Sequence, residues 1–461
     1  MSHQDQDRCQ IRYNAEYLKE ALHWLLRSID WTGIAFREDC TWAPLQLAVT
    51  ALLWAWSDES TLGERFVSAR RIAKHLYQPQ QEFAGSWQAF SKLLVRWTNA
   101  LAAVVQATLR RHMQDSLGGQ WLVHGFAIFG VDGSRVELPR TRSHEAAYSV
   151  KRNKQGKKLK RNRRQKPRTT AHTKKANTPQ MWLTLLWHVG TSLPWAWRIG
   201  PTGSSEREHW RQMLPETPEA ALLVGDAGFV GYEYARAVLD SQRSLLVRVG
   251  SNVRLLRKLG WTRESAGTVY LWPDRAAEKR QPPLVLRLVV ALGGKHPVYL
   301  VTNVASRRLS DAQVIDVYRL RWGIELYFRH LKQTFQRRKL RSTSADNALV
   351  ELQWSLLGLW SMALYAQVEQ VKAGLDPRQQ SVAGVLRAFR RILRDYLHPA
   401  QPDCSLRKLL RAALRDRYLR KNKTSRGYPR KKKADPPAGP PEINTATPAQ
   451  VRQARELRTA A

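Results

Sequence analysis

The chain has 461 residues, which at roughly 150 residues per domain gives room for about three domains and a large apolar core. Its 76 Lys and Arg residues against 38 Asp and Glu give a net charge of +38. A polyanion is the natural partner of such a chain, because each neutralised phosphate releases counterions. No run of about 18 apolar residues and no apolar N-terminal segment occur, so we expect neither a membrane span nor a secretory signal. We therefore expect a cytoplasmic, DNA-bound protein.

The three cysteines, Cys9, Cys40 and Cys404, lie far apart in the sequence. Their spacing fits neither a disulfide framework nor a zinc site. Residues 1–120 have apolar side chains recurring three and four apart, which predicts helices throughout. Within them, residues 56–76 are a candidate helix-turn-helix-like stretch, although plain scaffolding would produce the same periodicity.

The pattern changes to short strands after residue 121. Residues 126–138 predict two strands joined by an Asp-Gly turn, and further strands are expected at 181–189, 194–200, 221–226, 244–250 and 298–304. Helices are expected after Ser205 and at 232–239. Strands that alternate with helices indicate a mixed α/β sheet. Residues 251–297 contain Gly and Pro breaks between short alternating runs, which indicates a small β-rich insertion on that sheet.

A long helix is expected from Ser310 to Thr334, followed by helices at 349–370, 381–397 and 405–419. Residues 421–461 are rich in Lys, Arg, Pro and Gly and are expected to form a disordered basic tail. A second basic segment, residues 151–175, contains 13 Lys or Arg and no acid. It is either a solvated loop, a localisation signal or a phosphate clamp beside the predicted sheet, and we favour the clamp.

Four residues of the long helix form a pattern typical of a phosphate and metal surface. Tyr318, Arg321, Glu325 and Lys332 are separated by two, three and six residues. At roughly 100° per residue their side chains lie within about 60° on one helical face. Taken alone, Arg321 and Glu325 would equally form an ordinary i,i+4 ion pair.

Two aspartates at predicted strand ends extend this pattern. Asp132 lies in VDGS and Asp226 in GDAGF. Taken singly, Asp132 fits a hairpin turn and Asp226 fits a helix cap. Together with Glu325 they supply the oxygen ligands that two hard cations need. The sequence therefore predicts a catalytic metal site at Asp132, Asp226 and Glu325.

These residues carry a resemblance over roughly residues 121–345. Tyr318, Arg321, Glu325 and Lys332 match the Tyr-Arg-Glu-Lys signature, and with the two aspartates the chain resembles insertion-sequence DDE transposases of the IS-four type. The resemblance implies an α/β ribonuclease H-like catalytic core (121–345) with the β-rich insertion at 251–297. All-α regions would flank this core: an N-terminal domain that binds DNA ends (1–120) and a C-terminal region with a role in dimerisation (346–420).

The implied activity is cut-and-paste transposition: nicking at the element's end, a hairpin intermediate and strand transfer. Two Mg²⁺ ions, with Mn²⁺ as a substitute, would be held by Asp132, Asp226 and Glu325, while Tyr318, Arg321 and Lys332 would bind DNA phosphates. The implied partners are the terminal inverted repeats, the target DNA and a second protomer, with 349–370 as the dimer contact, in a bacterial, nucleoid-associated protein. A flipped base would stack on Trp261 or Trp272, although both residues also fit a plain core role.

Two alternatives remain open from the sequence. One is a metal-dependent nuclease or resolvase on the same fold, which would share the carboxylates but stop after hydrolysis. The other is a noncatalytic DNA-binding protein derived from a transposase. Residue types alone do not separate strand transfer from hydrolysis.

Overall fold

The computed structural model describes residues 12–77, 85–149, 179–293, 296–415 and 439–459. Ten strands form one mixed sheet, and helices pack around it. The strands are β1 (Ile128–Glu137), β2 (Gln180–His188), β3 (Leu193–Gly200), β4 (Leu222–Gly225), β5 (Ser244–Val249), β6 (Arg254–Arg257), β7 (Thr268–Leu271), β8 (Leu284–Ala291), β9 (Val298–Thr302) and β10 (Glu442–Thr445). This arrangement confirms the mixed α/β class expected from the alternating pattern.

Along the chain, the helices of the described ranges come before, between and after the strands. They are α1 (Asn14–Leu26), α2 (Pro44–Trp56), α3 (Leu62–Tyr77), α4 (Trp87–Ser116), α5 (Arg142–Tyr148), α6 (Glu206–Met213), α7 (Tyr232–Asp240), α8 (Asp274–Glu278), α9 (Asp311–Leu320), α10 (Gly323–Arg329), α11 (Ala345–Lys372), α12 (Val382–Arg394), α13 (Leu406–Ala412) and α14 (Pro448–Thr459). Within the ranges that the structure describes, no helix is both long and apolar enough to cross a membrane.

The first half of the sheet is built around β1. This strand pairs antiparallel with β2 along its whole length and parallel with β4 at its start, while β3 continues beyond β2 and β5 beyond β4. The Asp-Gly turn predicted inside residues 126–138 is wrong, because Asp132 and Gly133 lie mid-strand, opposite Leu185 and Thr184. Backbone pairing along the whole of β2 outweighs the local preference of Asp-Gly for a turn.

Strands β6 to β9 extend the same sheet rather than forming a separate layer. The order from one edge to the other is β10-β6-β7-β8-β9-β5-β4-β1-β2-β3. The region predicted as a β-rich insertion, 251–297, contributes β6, β7 and β8, and β9 returns antiparallel to β5. The insertion is therefore continuous by hydrogen bonding with the strands that carry the two aspartates.

The disordered tail predicted at 421–461 is wrong for residues 442–459. Strand β10 pairs in parallel with β6, and α14 follows it directly. Gln453 of α14 donates to the carbonyl of Ala277, and Ile443 packs on the core. Without β10, strand β6 would be the edge of the sheet and would expose unpaired backbone N–H and C=O groups. Pairing with these groups orders residues 442–445, and amino-acid composition does not reveal it. Residues 421–438 and 460–461 of the predicted tail lie outside the described ranges.

Helix α11 connects the N-terminal helices to the sheet. Its side chains are buried along nearly the whole helix. Indole N–H groups fix its neighbours: Trp354 donates to Thr98 of α4, and Trp56 of α2 donates to the carbonyl of Gly358. The helices of 1–120 and 346–420 thus share one core. The expected contact of 349–370 with a second protomer stays a prediction, and in the described structure only Leu349 and Gln353 of this range are partly exposed.

The continuous helix predicted from Ser310 to Thr334 is also wrong. It is divided into α9 and α10. At the junction, the N–H groups of Trp322, Ile324 and Glu325 each donate to the carbonyl three residues earlier instead of four. The segment ends in a π-helical turn, His330–Thr334. At the junction α10 lies directly on β2: a Cβ added to Gly323 would be 2.1 Å from the ring of Trp187. Only glycine permits this approach.

Proline at position 446 should detach the tail from the sheet. The Ala446 N–H donates to the carbonyl of Arg257, and proline removes that donor. We expect Ala446→Pro to increase protease cleavage within 439–459 severalfold, measured by limited proteolysis and mass spectrometry. Ala449→Pro is the matched control, because it lies in the first turn of α14, where proline is tolerated. Equal cleavage of the two variants would contradict this docking.

Candidate active site

Asp132 and Asp226 lie side by side at the junction of β1 and β4. The two strands are parallel, with Gly130 opposite Val224. The same register places Asp132, two residues on, beside Asp226. Neighbouring strands are about 4.8 Å apart. Two aspartates that are distant in the sequence are thus neighbours at the site.

Each aspartate is oriented by a backbone N–H that follows it. Oδ1 of Asp132 accepts from the Gly133 N–H at 2.8 Å, and Oδ1 of Asp226 accepts from the Gly228 N–H at 2.7 Å. The cap interpretation of Asp226 therefore holds as well, since this bond opens a short 3₁₀ turn. Among the described residues, Oδ2 of Asp226 has no hydrogen bond or ion pair, so one oxygen is held while the other is free to bind a ligand.

Glu325 joins the aspartates through Arg321. The Arg321 guanidinium is about nine-tenths buried and lies between two carboxylates: Nη2 is 3.5 Å from Glu325 Oε1, and Nη1 is 4.0 Å from Asp132 Oδ2. The i,i+4 ion pair considered from sequence is present, and it is shared with Asp132. Arg321 therefore neutralises part of the negative charge of the site.

Burial raises the pKa of Asp132 to about 6, and the charges of Asp226 and Glu325 act in the same direction. The Gly133 N–H and Arg321 oppose this shift. Burial and the two neighbouring carboxylates thus raise the free energy of the charged form of Asp132. Removal of water and mutual repulsion are the conditions under which a cation binds most favourably.

Tyr318 and Lys332 also lie at this site. The Arg321 guanidinium is 5.5 Å from the centre of the Tyr318 ring. Lys332 Nζ donates to Ser134 Oγ at 2.6 Å, and Ser134 is two residues after Asp132 on the same face of β1. Burial lowers the pKa of Lys332. The six residues singled out in the sequence therefore meet around the middle of β1, where β4 ends.

A fourth carboxylate, Glu206, was missed by sequence reasoning. It is the first residue of α6, after the N-cap Ser205, whose Oγ accepts from the Glu208 N–H. A Cβ added to Gly133 would be 2.1 Å from Glu206 Oε1, so this carboxylate lies against the backbone next to Asp132. Burial, together with the charges of Asp132 and Asp226, raises the pKa of Glu206 to about 7, and the charge of Arg135 opposes this shift. No spacing rule relates residue 206 to the others, since only the packing of α6 brings it close.

As they stand, no three Asp, Glu, His or Cys side chains of the described ranges are arranged to hold a metal ion. Arg321 lies where Asp132 and Glu325 would otherwise approach each other. The chemistry of the donors nevertheless fits a hard divalent cation, because all are carboxylate oxygens and one oxygen of each aspartate is oriented by a backbone N–H.

Two cavities have basic side chains in their walls. One, of about 520 Å³, lies between α6, α7 and α8 and is lined by Arg207, Arg211, Arg275 and Lys279, together with the acids Glu208 and Glu233. The other, of about 420 Å³, is lined by apolar residues and by Tyr318, Arg321 and the exposed Trp322. The basic segment 151–175 lies outside the described residues.

The proposed stacking role of Trp272 is wrong, because its ring is 3% exposed and its N–H donates to the carbonyl of Gln281. The plain core interpretation holds for this residue. Trp261 is partly buried against the same core, and its carbonyl accepts from Arg458 of α14. At the carboxylate cluster itself, the exposed aromatic ring is Trp322.

Residues 125–360, just over half of the chain, match the model of the family described as Transposase DDE domain. The chain belongs to this transposase family. The matched range of this DDE domain contains all the residues of the site described above. The family that the Tyr-Arg-Glu-Lys spacing and the two aspartates indicated is thereby confirmed.

A curated relative of this DDE transposase is the Transposase InsG for insertion sequence element IS4 of Escherichia coli (strain K12). It is 26% identical over 269 residues, which are 56% of this chain and 56% of that protein. The chain thus matches little more than half the length of this relative. A solved structure, the piggyBac transposase synaptic complex with hairpin DNA, aligns with 89% of this chain and 87% of that one at 12% identity and a TM-score of 0.39. At that score the similarity does not establish a common fold.

The raised pKa of Glu206 predicts a pH-dependent effect of its replacement. With a pKa of about 7 in the folded DDE domain against an ordinary 4.5, the folded protein binds the extra proton between these pH values. The contribution of Glu206 to stability is therefore largest below pH 4.5 and is lost as the pH rises through 7. We expect Glu206→Gln to raise the melting temperature, without divalent metal, more at pH 8 than at pH 5.

The matched control is Glu208→Gln, in the same helix. Glu208 is exposed and paired with Arg211, and its replacement should not produce this difference between the two pH values. Differential scanning fluorimetry of both variants at each pH makes the comparison. If Glu206→Gln changed the melting temperature equally at pH 5 and pH 8, the raised pKa would be contradicted.

Proposed function

We propose that this protein is an insertion-sequence transposase that cuts DNA at the ends of its element and joins them to target DNA. The observation that carries the proposal is the convergence of Asp132, Asp226 and Glu325, from three separate elements, around the buried guanidinium of Arg321. Family membership supports the same function. The match to little more than half of a transposase's length leaves the activity of the whole chain as a proposal.

We infer that the core is ribonuclease H-like, with the first aspartate on the opening strand, the second after a later strand and the glutamate on a following helix. The strand order β3-β2-β1-β4-β5 supports this fold, since β1 to β3 are antiparallel and β4 and β5 run parallel to β1. The continuous strands β6 to β9 would then be the insertion between the second aspartate and the glutamate.

We propose that Asp132, Asp226 and Glu325 hold two Mg²⁺ ions, with Mn²⁺ as a substitute. Bound at these carboxylates, the ions would supply an activated water or hydroxyl and stabilise the charge that develops on the leaving oxygen. The protein's own contribution is to present carboxylate oxygens in fixed directions. The N–H groups of Gly133 and Gly228 support this role, because they hold one oxygen of each aspartate.

The DNA phosphates near the scissile bond would contact Arg321, Tyr318 and Lys332. Arg321 supports this assignment, since its contacts to the two carboxylates are long, at 3.5 and 4.0 Å, and its Nε has no described partner. A guanidinium can hold a phosphate through two parallel hydrogen bonds. Lys332 would remain anchored to β1 through Ser134 and offer its charge to the same strand of DNA.

The remaining assignments rest on the family resemblance. The N-terminal helices, including α3 of the helix-turn-helix-like stretch, would read the terminal inverted repeats, and 151–175 would clamp phosphates. A hairpin route and cutting by two protomers in a synaptic dimer are proposals of the same kind. Because most of 349–370 is buried, a dimer contact there would involve Leu349 and Gln353 together with neighbouring surfaces.

Glu325→Gln should abolish cleavage while leaving DNA binding within about twofold. The substitution removes a carboxylate oxygen but keeps the shape of the side chain. We would measure cleavage and joining of a duplex that carries the terminal repeats of the element encoding this chain, with Mg²⁺ or Mn²⁺. Asp132→Asn and Asp226→Asn should behave alike, and Glu208→Gln is the matched control that should cut normally.

Normal cutting by Glu325→Gln would overturn the assignment of this residue. Cutting by the wild type without joined products would favour a nuclease or resolvase. Binding of the repeats without any cutting would favour a noncatalytic DNA-binding protein.

Arg321→Ala should weaken binding of the same duplex and reduce the slope of log affinity against log salt by about 1, because one phosphate contact is lost. Arg254→Ala is the control, because this arginine is exposed on β6, which is five strands from β4 and six from β1 in the sheet. Fluorescence anisotropy at several salt concentrations gives both quantities. An unchanged slope for Arg321→Ala would contradict the phosphate contact and would leave Arg321 only the role of orienting the carboxylates.

A further inference from the structure

Glu206 occupies a position that local structure does not require. Its carboxylate lies against the Cα of Gly133, where a Cβ would be 2.1 Å from Oε1 and 2.6 Å from Cδ. Gly133 is the residue whose N–H orients Asp132. The absence of a side chain at 133 is therefore what lets α6 bring Glu206 beside Asp132.

The surroundings of Glu206 disfavour its charged form. Glu206 is partly buried and lies within range of the charges of Asp132 and Asp226, while Arg135 attracts it from a distance. Among the described residues, none forms a hydrogen bond or an ion pair with Glu206. Another partly buried acid, Glu216, is by contrast paired with both Arg110 and Arg198.

A helix-terminal role does not explain the geometry. The first turn of a helix favours an acidic side chain, but Glu208, in the same turn, gains that interaction while exposed to water and paired with Arg211. Glu206 instead turns towards Gly133 and the two aspartates. The carboxylate of Glu206 thus lies beside Asp132 and within range of the charge of Asp226, and the nearby cations Arg321 and Arg135 offset only part of this negative charge.

We propose that Glu206 contributes a further carboxylate oxygen to the divalent cation shared by Asp132 and Asp226. This inference rests on the metal site of the proposed function and adds a ligand that the Asp132, Asp226 and Glu325 set lacks. Mg²⁺ and Mn²⁺ bind oxygen ligands in sixfold coordination, so three protein carboxylates leave positions for water and for a phosphate oxygen. The bound cation would offset the repulsion among the three acids.

The test is Mn²⁺ binding to the full-length, DNA-free protein, followed by the electron paramagnetic resonance signal of free Mn²⁺. Loss of a ligand should weaken binding at least about tenfold, so we expect this effect for Glu206→Gln. Asp226→Asn should also weaken binding. Glu208→Gln, the same change two residues away on the same helix, should bind Mn²⁺ as the wild type does.

Glu206→Asp separates a ligand from a distant charge. It keeps the charge but withdraws the carboxylate by one methylene, so a ligand role predicts weaker Mn²⁺ binding, whereas a purely long-range effect of charge would leave the affinity unchanged and overturn the proposal. Thermal melts of each variant without metal show whether the fold is kept.

The failure of this inference is distinguishable from the failure of the proposed function. If Asp226→Asn weakens Mn²⁺ binding and Glu206→Gln does not, Glu206 is not a ligand, and the metal site proposed at Asp132, Asp226 and Glu325 is retained. If neither substitution changes Mn²⁺ binding, the metal site itself is wrong, and the inference falls with it.

Discussion

The structure of the site depends on the parallel pairing of β1 with β4. This pairing places Asp132 beside Asp226. Side chains from neighbouring helices can then contact both aspartates. Pairing of β1 with β2 over its whole length holds Asp132 in the middle of a strand rather than at a mobile turn. The aspartates are therefore presented by paired strands of the central sheet, as a site that must position charge requires.

At the site, the single guanidinium of Arg321 forms ion contacts with two acids, Asp132 and Glu325. Arg321 lies between Asp132 and Glu325, and burial raises the free energy of the charged form of Asp132. Such an arrangement costs stability, and proteins tolerate that cost at functional sites. Glu206 adds a further negative charge, which Arg135 offsets only in part. The excess of negative charge is local, in a chain whose net charge is +38.

Close approaches by glycine make this geometry accessible. Gly323 lets α10 pack on Trp187 where the helix changes direction, and Gly133 lets α6 bring Glu206 to the strand. Behind them, α11 ties the N-terminal helices and the sheet into one core through indole hydrogen bonds. The supports of the site thus come from elements distant in sequence, which explains why the residues that contact the carboxylates do not form one motif.

The sequence by itself determined the helical periodicity, the strands, the family and the residues Asp132, Asp226, Glu325, Tyr318, Arg321 and Lys332, because local spacing and residue chemistry carry that information. Only the tertiary structure decided what depends on partners remote in the chain. Pairing with β2 and β4 turned an Asp-Gly turn into a continuous strand, and the open edge of β6 ordered a tail of disordered composition. Burial made Trp272 a core residue, and the packing of α6 brought Glu206 to Asp132. Sequence spacing does not record these contacts, since they are made by groups that meet only when the chain folds.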